Sequence, residues 1–239
     1  MELSFYTAAV GANAQQGRMN VIANNLANIN TDGYKAQSAG FVDLLYQKYY
    51  KAATKDPETG VGTRVEKVDI LYEQSGIVEV MPVSGEHNFA INGDGFFAVY
   101  DSGSGNIYYT RNGHFSMSNY GNNLFYLVND QGYLVLDENY GLILVDPDAE
   151  NQDFNIGVFD FNSKEGMLLK GNNLYEPVEK QGDPFLNIDA EVIPRKLEMA
   201  NVDLAYEMAK VVETQRAYQL LLKMVQTSDE IENTINNLR

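Results

Sequence analysis

The sequence predicts a mainly β protein with an α-helix at each end: a central β-sandwich or barrel-like domain flanked by N- and C-terminal helices. Three observations predict it. Apolar residues at long-range helical spacing occur only near the two ends of the 239-residue chain. Between them, turn residues recur about every eight to twelve positions, the rhythm of short strands in a sandwich or barrel. The aromatic supply is 16 Tyr and 11 Phe with no Trp, which suits pleated, half-buried surfaces. The expected division is an N-terminal helix over 1–35, a linker over 36–62, the β domain over 63–196 and a C-terminal helix over 197–239.

In the first segment Met19, Ile22, Leu26 and Ile29 step by three or four residues onto one face, and Leu3, Tyr6 and Val10 begin a second stripe. Gly11 and Gly17 each cost about 1 kcal/mol against Ala in a helix interior, so this helix is marginal by itself. Asp32-Gly33 is a stop and turn signal. Phe41 to Tyr46 fits either a continued helix or a strand, and Lys51 to Gly62, with Asp56-Pro57, Gly60 and Gly62, reads as a loop.

From Thr63 onward the punctuation is β-like. Short strands are expected over Thr63–Ile70, Gly76–Val80, Ile107–Thr110, His114–Met117, Leu124–Val128, Tyr133–Leu136, Leu142–Val145, Phe154–Phe161 and Gly166–Leu169. Asn92-Gly93-Asp94-Gly95 lies between the apolar runs Phe89–Ile91 and Phe96–Tyr100, which predicts a hairpin.

The helical pattern resumes at Leu197 and runs to Leu238, with Asn201 as N-cap and Asp203 and Glu207 near the positive end. Leu204, Met208, Val211, Gln215, Tyr218, Leu222, Val225 and Asp229 alternate steps of four and three, a heptad-like stripe. Leu221, Met224, Ile231, Ile235 and Leu238 form an offset stripe. Two stripes fit neighbours on two sides; an ordinary amphipathic helix docked on its own β domain fits as well. Neither terminal segment has an apolar face wide enough for a private core, which points to packing against other copies or partners, and to assembly rather than catalysis.

Candidate chemistry is sparse. The chain has no Cys, and its two His, His87 and His114, stand in no metal-ligand spacing, so no metal site is expected. Gly93-Asp94-Gly95-Phe96-Phe97-Ala98 matches the letters of a dinucleotide-binding turn, but a strand and not a helix is expected after it. Asp146-Pro147-Asp148-Ala149-Glu150 lacks the sixth-position Gly and twelfth-position Glu of a calcium-binding EF-hand loop, with Asn151 and Gly157 standing there. There is no Gly-x-Ser-x-Gly elbow. No enzyme activity and no cofactor are therefore expected. A net charge of -16 without a Lys/Arg cluster repels a phosphate backbone, so nucleic acid is not an expected partner. No basic segment followed by an apolar core opens the chain, and neither a cleaved secretory signal nor a membrane span is expected.

Asn24-Asn25-Leu26-Ala27-Asn28-Ile29-Asn30-Thr31-Asp32-Gly33-Tyr34-Lys35 resembles the N-terminal signature of the bacterial flagellar axial proteins, the rod and hook group. Asn201-Val202-Asp203-Leu204 and Glu213-Thr214-Gln215-Arg216-Ala217-Tyr218 resemble its C-terminal signature. Ala90 to Phe97, Tyr109 to Phe115 and Gly171 to Tyr175 are similar to the core motifs of the basal-body rod proteins, in the family order. Within the group the segments Ala14-Gln15-Gln16 and Asp43-Leu44-Leu45-Tyr46-Gln47 resemble the distal rod members most. The stretch after Leu136 is shorter than in typical distal members, and Asn88 stands where an acidic residue is usual.

The resemblance implies a structural subunit of the flagellar basal body. It would leave the cytoplasm through the flagellar export apparatus without a cleaved signal and polymerise into a helical shaft that carries torque from motor to hook. Its partners would be further copies and other rod and hook proteins. Its terminal helices would order on assembly into an axial, coiled-coil-like layer with the β domain outside. The implied interface residues are Asn24, Asn25, Leu26, Asn28, Gly33, Leu204, Met208, Val211, Gln215, Arg216, Tyr218 and Leu222. Asn24, Asn25 and Asn28 would bond the helix end and its turn, Gly33 would permit the turn, and Gln215, Arg216 and Tyr218 would set axial register. The alternatives are a proximal rod or hook-type member, or a carbohydrate-binding or glycan-cleaving β domain. The last is motivated by the aromatic core and 33 acidic residues but weakened by the lack of Trp.

Overall fold

The computed structural model describes residues 2–43, 46–48, 58–60, 63–72, 75–79, 86–121, 124–147, 152 and 154–238. Of the loop expected over Lys51–Gly62, Glu58–Gly60 is instead a strand paired antiparallel with Tyr46–Lys48, and the rest, like the end of the acidic run at Asp148–Glu150, lies outside the described residues. The fold is mainly β, with a long helix near each end: α1 over Glu2–Ala27 and α2 over Leu204–Asn237. The chain forms two compact units.

The first unit comprises Met1–Ala27, Gln37–Leu71 and Val202–Arg239. Its two helices run antiparallel. A Cβ built on Gly11 would stand 3.3 Å from Leu221 Cδ2, and seven residues further along α1 Arg18 Nη2 lies 3.6 Å from Glu213 Oε2. Both interior glycines thus stand where backbone comes close to a neighbour, since a Cβ on Gly17 would lie 3.1 Å from Val65 Cγ2. The low helix propensity read from the sequence is the cost of that approach. Strands Gln37–Asp43 and Thr63–Ile70 pair antiparallel with a register shift between Gly40 and Phe41, and the Arg18 guanidinium sits 5.9 Å from the Phe41 ring. In the ambiguous stretch Phe41–Tyr46, Phe41–Asp43 and Tyr46 are therefore in strands, Leu44 and Leu45 lie outside the described residues, and Thr63–Ile70 belongs with the helices and not with the β unit.

The second unit comprises Asn28–Ala36 and Tyr72–Asn201. Its main sheet follows the order Leu168–Gly171, Leu174–Glu176, Ile107–Thr110, Phe96–Tyr100, Leu134–Val135, Phe125–Val128, His114–Asn119, Glu86–Asn92, Glu191–Pro194, with every neighbour antiparallel. The sheet branches at Phe96–Tyr100. One edge of that strand pairs with Ile107–Thr110; on the other, Phe96 and Phe97 pair with Val158–Phe159 while Val99 and Tyr100 pair with Leu134–Val135. The core gathers Phe89, Ile91, Phe97, Phe115, Leu127 and Val135 from these strands, consistent with the sandwich-like architecture expected.

Two local expectations need correction. Asn92–Gly95 is not a hairpin. Glu86–Asn92 pairs with His114–Asn119 and Glu191–Pro194, whereas Phe96–Tyr100 pairs elsewhere. Gly93 (φ 118°) and Gly95 (φ 122°) turn a corner that moves the chain to another part of the sheet. Nor is the chain helical from Leu197: Lys196–Glu198 is a strand paired with Ile77–Glu79. The helix starts at Leu204, and its N-cap is Asp203, whose carboxylate accepts from the amides of Ala205 and Tyr206. Asn201 is employed differently, as described below.

Candidate assembly interface

The two helices pack against each other, with Gly11 of α1 facing Leu221 of α2. α1 buries Ala8, Ala12, Ala14 and Ile22. On α2 the residues withdrawn from solvent include Glu207, Val211, Thr214, Tyr218, Leu221 and Val225, which alternate steps of four and three. That seam is mixed: Glu207 and Thr214 are buried polar residues, and Glu207 Oε2 and Thr214 Oγ1 have no hydrogen-bond partner among the described residues. Many other large apolar side chains of α2 lie outside that seam. Leu204, Met208, Val212, Leu220, Met224 and Ile231 are all exposed, Leu220 by 65%. An ordinary amphipathic helix buries such residues and exposes its polar ones. Large apolar side chains left in solvent along one helix are the mark of an interaction face.

Of the residues implied by the family signature, Val211 and Tyr218 lie on the inner seam, while Leu204, Met208, Gln215, Arg216 and Leu222 are exposed. Leu26 is half-buried and Asn24 exposed.

The Asn-rich signature has a specific geometry. Asn25 is 1% exposed. Its Nδ2 donates to Gln37 O, and its Oδ1 accepts from Gln37 N, each at 2.8 Å. The chain ends on either side of the loop 28–36 are thus held together in the first unit, while Asn28–Ala36 belong to the second. Within the loop Asn28 accepts from Thr31, at its carbonyl from the amide (3.0 Å) and at Oδ1 from the hydroxyl (3.3 Å). Gly33 has φ 66°, and a Cβ there would lie 2.4 Å from the Arg111 backbone carbonyl. Only glycine fits, on grounds of both dihedral and space.

The loop reaches an ion cluster inside the second unit that sequence reasoning missed. Lys35 Nζ is 2.7 Å from Glu198 Oε1, and Arg111 Nη1 is 3.1 Å from Glu198 Oε2; all three side chains are essentially fully buried. Arg111 Nη2 donates to Gly93 O at 2.7 Å, and its guanidinium sits 5.7 Å from the Phe96 ring. Burial lowers the Lys35 ammonium pKa below the ordinary lysine value, and the Glu198 carboxylate opposes that fall. Asn201 completes the closure: its Oδ1 accepts from Ala36 N at 2.5 Å and its amide donates to Tyr34 O at 3.2 Å. Lys35 and Glu198 are 163 positions apart, so no local pattern announces the pair.

Comparison with known proteins matches this arrangement of ends and middle. Residues 5–35 match the family described as "Flagella basal body rod protein". Residues 90–158 match "Flagellar hook protein FlgE/F/G D1 domain", and residues 194–238 match "Flagellar basal body rod FlgEFG protein C-terminal". The flagellar basal-body rod protein FlgG of Borreliella burgdorferi is 32% identical, over 100% of this chain and 99% of its own length. The chain belongs to the flagellar basal-body rod protein family. FlgG of Buchnera aphidicola from Schizaphis graminum is 31% identical over 98% of this chain and 99% of its own, and FlgG of Bacillus subtilis 30% over 99% and 98%. As a member of that family the chain is a structural subunit of the rod and belongs to the basal body of the flagellum. No helix among the described residues is long and apolar enough to cross a membrane.

Proposed function

We propose that this subunit polymerises through its helical unit into the shaft that transmits torque from motor to hook, without catalysing a reaction. The observation that carries the proposal is the apolar surface that α2 leaves uncovered: its inner seam takes Val211, Tyr218, Leu221 and Val225 together with buried Glu207 and Thr214, while Leu204, Met208, Leu220 and Met224 are left in solvent. Further copies, and other rod and hook proteins, are the occupants that the family supplies. Contacts that repeat head-to-tail without closing give a helical filament. Gln215 and Arg216, both exposed on the same helix, are placed to set register between copies. The helix pair is marginal in the free chain and is consolidated by neighbours, giving an axial layer with the β unit outside. Export through the flagellar apparatus without a cleaved signal, and a distal place in the rod, belong to the same proposal.

The test is polymerisation of the full chain, followed by sedimentation and negative-stain microscopy. The double variant Met208→Glu/Leu220→Glu should keep the far-ultraviolet circular dichroism and thermal transition of the wild-type monomer while forming no filaments. Filaments formed as readily as by the wild type would overturn the proposal.

A further inference from the structure

The chain passes between its two units four times, at 27/28, 36/37, 71/72 and 201/202. Inside the β unit, the stretch Glu198–Asn201 is bonded to the segments adjoining all of these passages. For the first two, Glu198 O accepts from Gly33 N at 2.7 Å and Oε1 from Lys35 Nζ at 2.7 Å, while Asn201 Oδ1 accepts from Ala36 N. For the third, Oε1 also accepts from Ser75 N at 2.9 Å, Ser75 Oγ donates to Ala200 O at 3.1 Å, and Met199 N donates to Gly76 O at 2.9 Å. The fourth passage is the continuation of this stretch itself. Arg111 ties the group to the sheet, through Glu198 Oε2 and through Gly93 O.

We propose that Glu198 is the hub of a clamp inside the β unit that holds together the segments adjoining the passages of the chain into and out of that unit. One carboxylate serves two cations and an amide, a set that burial makes short and directional. Two cations around one anion is an expensive choice for mere stability, since a buried ion cluster stabilises no more than a well-packed apolar group of similar volume. Its return is in specificity of geometry: each partner reaches Glu198 from a different segment, so no one segment can twist without breaking a bond. The mechanical purpose of such a clamp rests on the rod role proposed above; the clamping does not, and it is measurable in the free subunit.

The experiment is site-resolved amide hydrogen exchange on the full chain, wild type against Glu198→Gln. The substitution keeps the side-chain volume and removes the charge that holds Lys35 and Arg111. In the variant the amides of Gly33, Ser75, Met199 and Asn201 should exchange at the rate of unstructured chain. Those of Phe97, Val99, Phe115 and Val135 should stay protected by about 10³-fold or more, because local and global opening are separate processes. Retained protection at the first four positions would overturn the proposal, and so would loss of protection in both groups together. Lys35→Met is the milder companion, should Glu198→Gln not fold. It should release Gly33 and leave Ser75 protected; equal release of both would overturn the separate clamping of each segment. Filament formation by either variant bears on the rod role alone.

Discussion

Asn25 and Gln37 exchange two hydrogen bonds, the carboxamide of the first pairing with the backbone N–H and C=O of the second as one strand pairs with another. The side chain does what a neighbouring strand would do and closes the loop between α1 and the strand Gln37–Asp43. Asn25→Ala leaves a buried donor and a buried acceptor without partners, so the expected loss is about 2–4 kcal/mol. Asn25→Asp keeps the shape but sets a carboxylate oxygen against the Gln37 carbonyl, and should cost at least as much. The helical signal in urea unfolding of the full chain checks both. Equal midpoints for the wild type and Asn25→Ala would show that the two bonds contribute nothing.

Gly33→Ala should destabilise the β unit by more than about 2 kcal/mol, because a left-handed dihedral at a non-glycine residue already costs 1–3 kcal/mol. The new methyl would in addition lie 2.4 Å from the Arg111 backbone, so Asn, which tolerates this dihedral, should not rescue it. The comparison of Gly33→Ala with Gly33→Asn in chemical unfolding separates the two causes: a clear recovery with Asn would mean that the dihedral alone is at issue.

How much of this was legible in the sequence depended on the range of the interaction. Asp32-Gly33 announces a turn because a turn is local, and Gly33 does adopt φ 66°. Asn92-Gly93 announces one equally well, yet the strands on either side do not pair, because a glycine fixes where the chain bends and distant strands fix what it pairs with. On α2 the spacing showed two apolar stripes. It could not show that Leu204, Met208 and Leu222 face out while Glu207 and Thr214 are buried, since periodicity does not say which stripe the chain covers itself. Glu198 carried no signal: a lone Glu in a short strand is ordinary until Lys35 and Arg111 arrive from far along the chain.

The place of residues 28–36 in the β unit bears on which fragment folds. A fragment beginning at residue 37 lacks Gly33, Tyr34 and Lys35, which leaves Glu198 with Arg111 as its one cationic partner and exposes the buried face that Tyr34 covers. Removing one member of a buried ion cluster costs about 3–5 kcal/mol. Residues 28–201 should therefore unfold cooperatively at a distinctly higher urea midpoint than residues 37–201. Coincident midpoints would mean that the loop is an accessory to the β unit and not part of it.

The acid limb of stability should be governed in part by His87. Its ring makes an edge contact with Phe154 at 5.1 Å, and it faces Phe115 across the sheet. Burial lowers its pKa below 6.5. The unfolded chain therefore binds the proton at a higher pH than the folded one, and between the two values stability rises with pH and is lost as pH falls. Asp32 acts with the opposite sign: burial raises its carboxyl above the ordinary 3.8, with His114 opposing the rise and Asp130 adding to it, so the folded chain takes that proton first and gains stability as pH falls through the raised value. The first window lies below 6.5 and the second above 3.8. His87→Phe keeps the aromatic contact and removes the titration. It should flatten the fall of the urea midpoint in the upper window and leave the lower one unchanged. An unaltered slope in the upper window would assign the loss to other groups and leave His87 a packing residue.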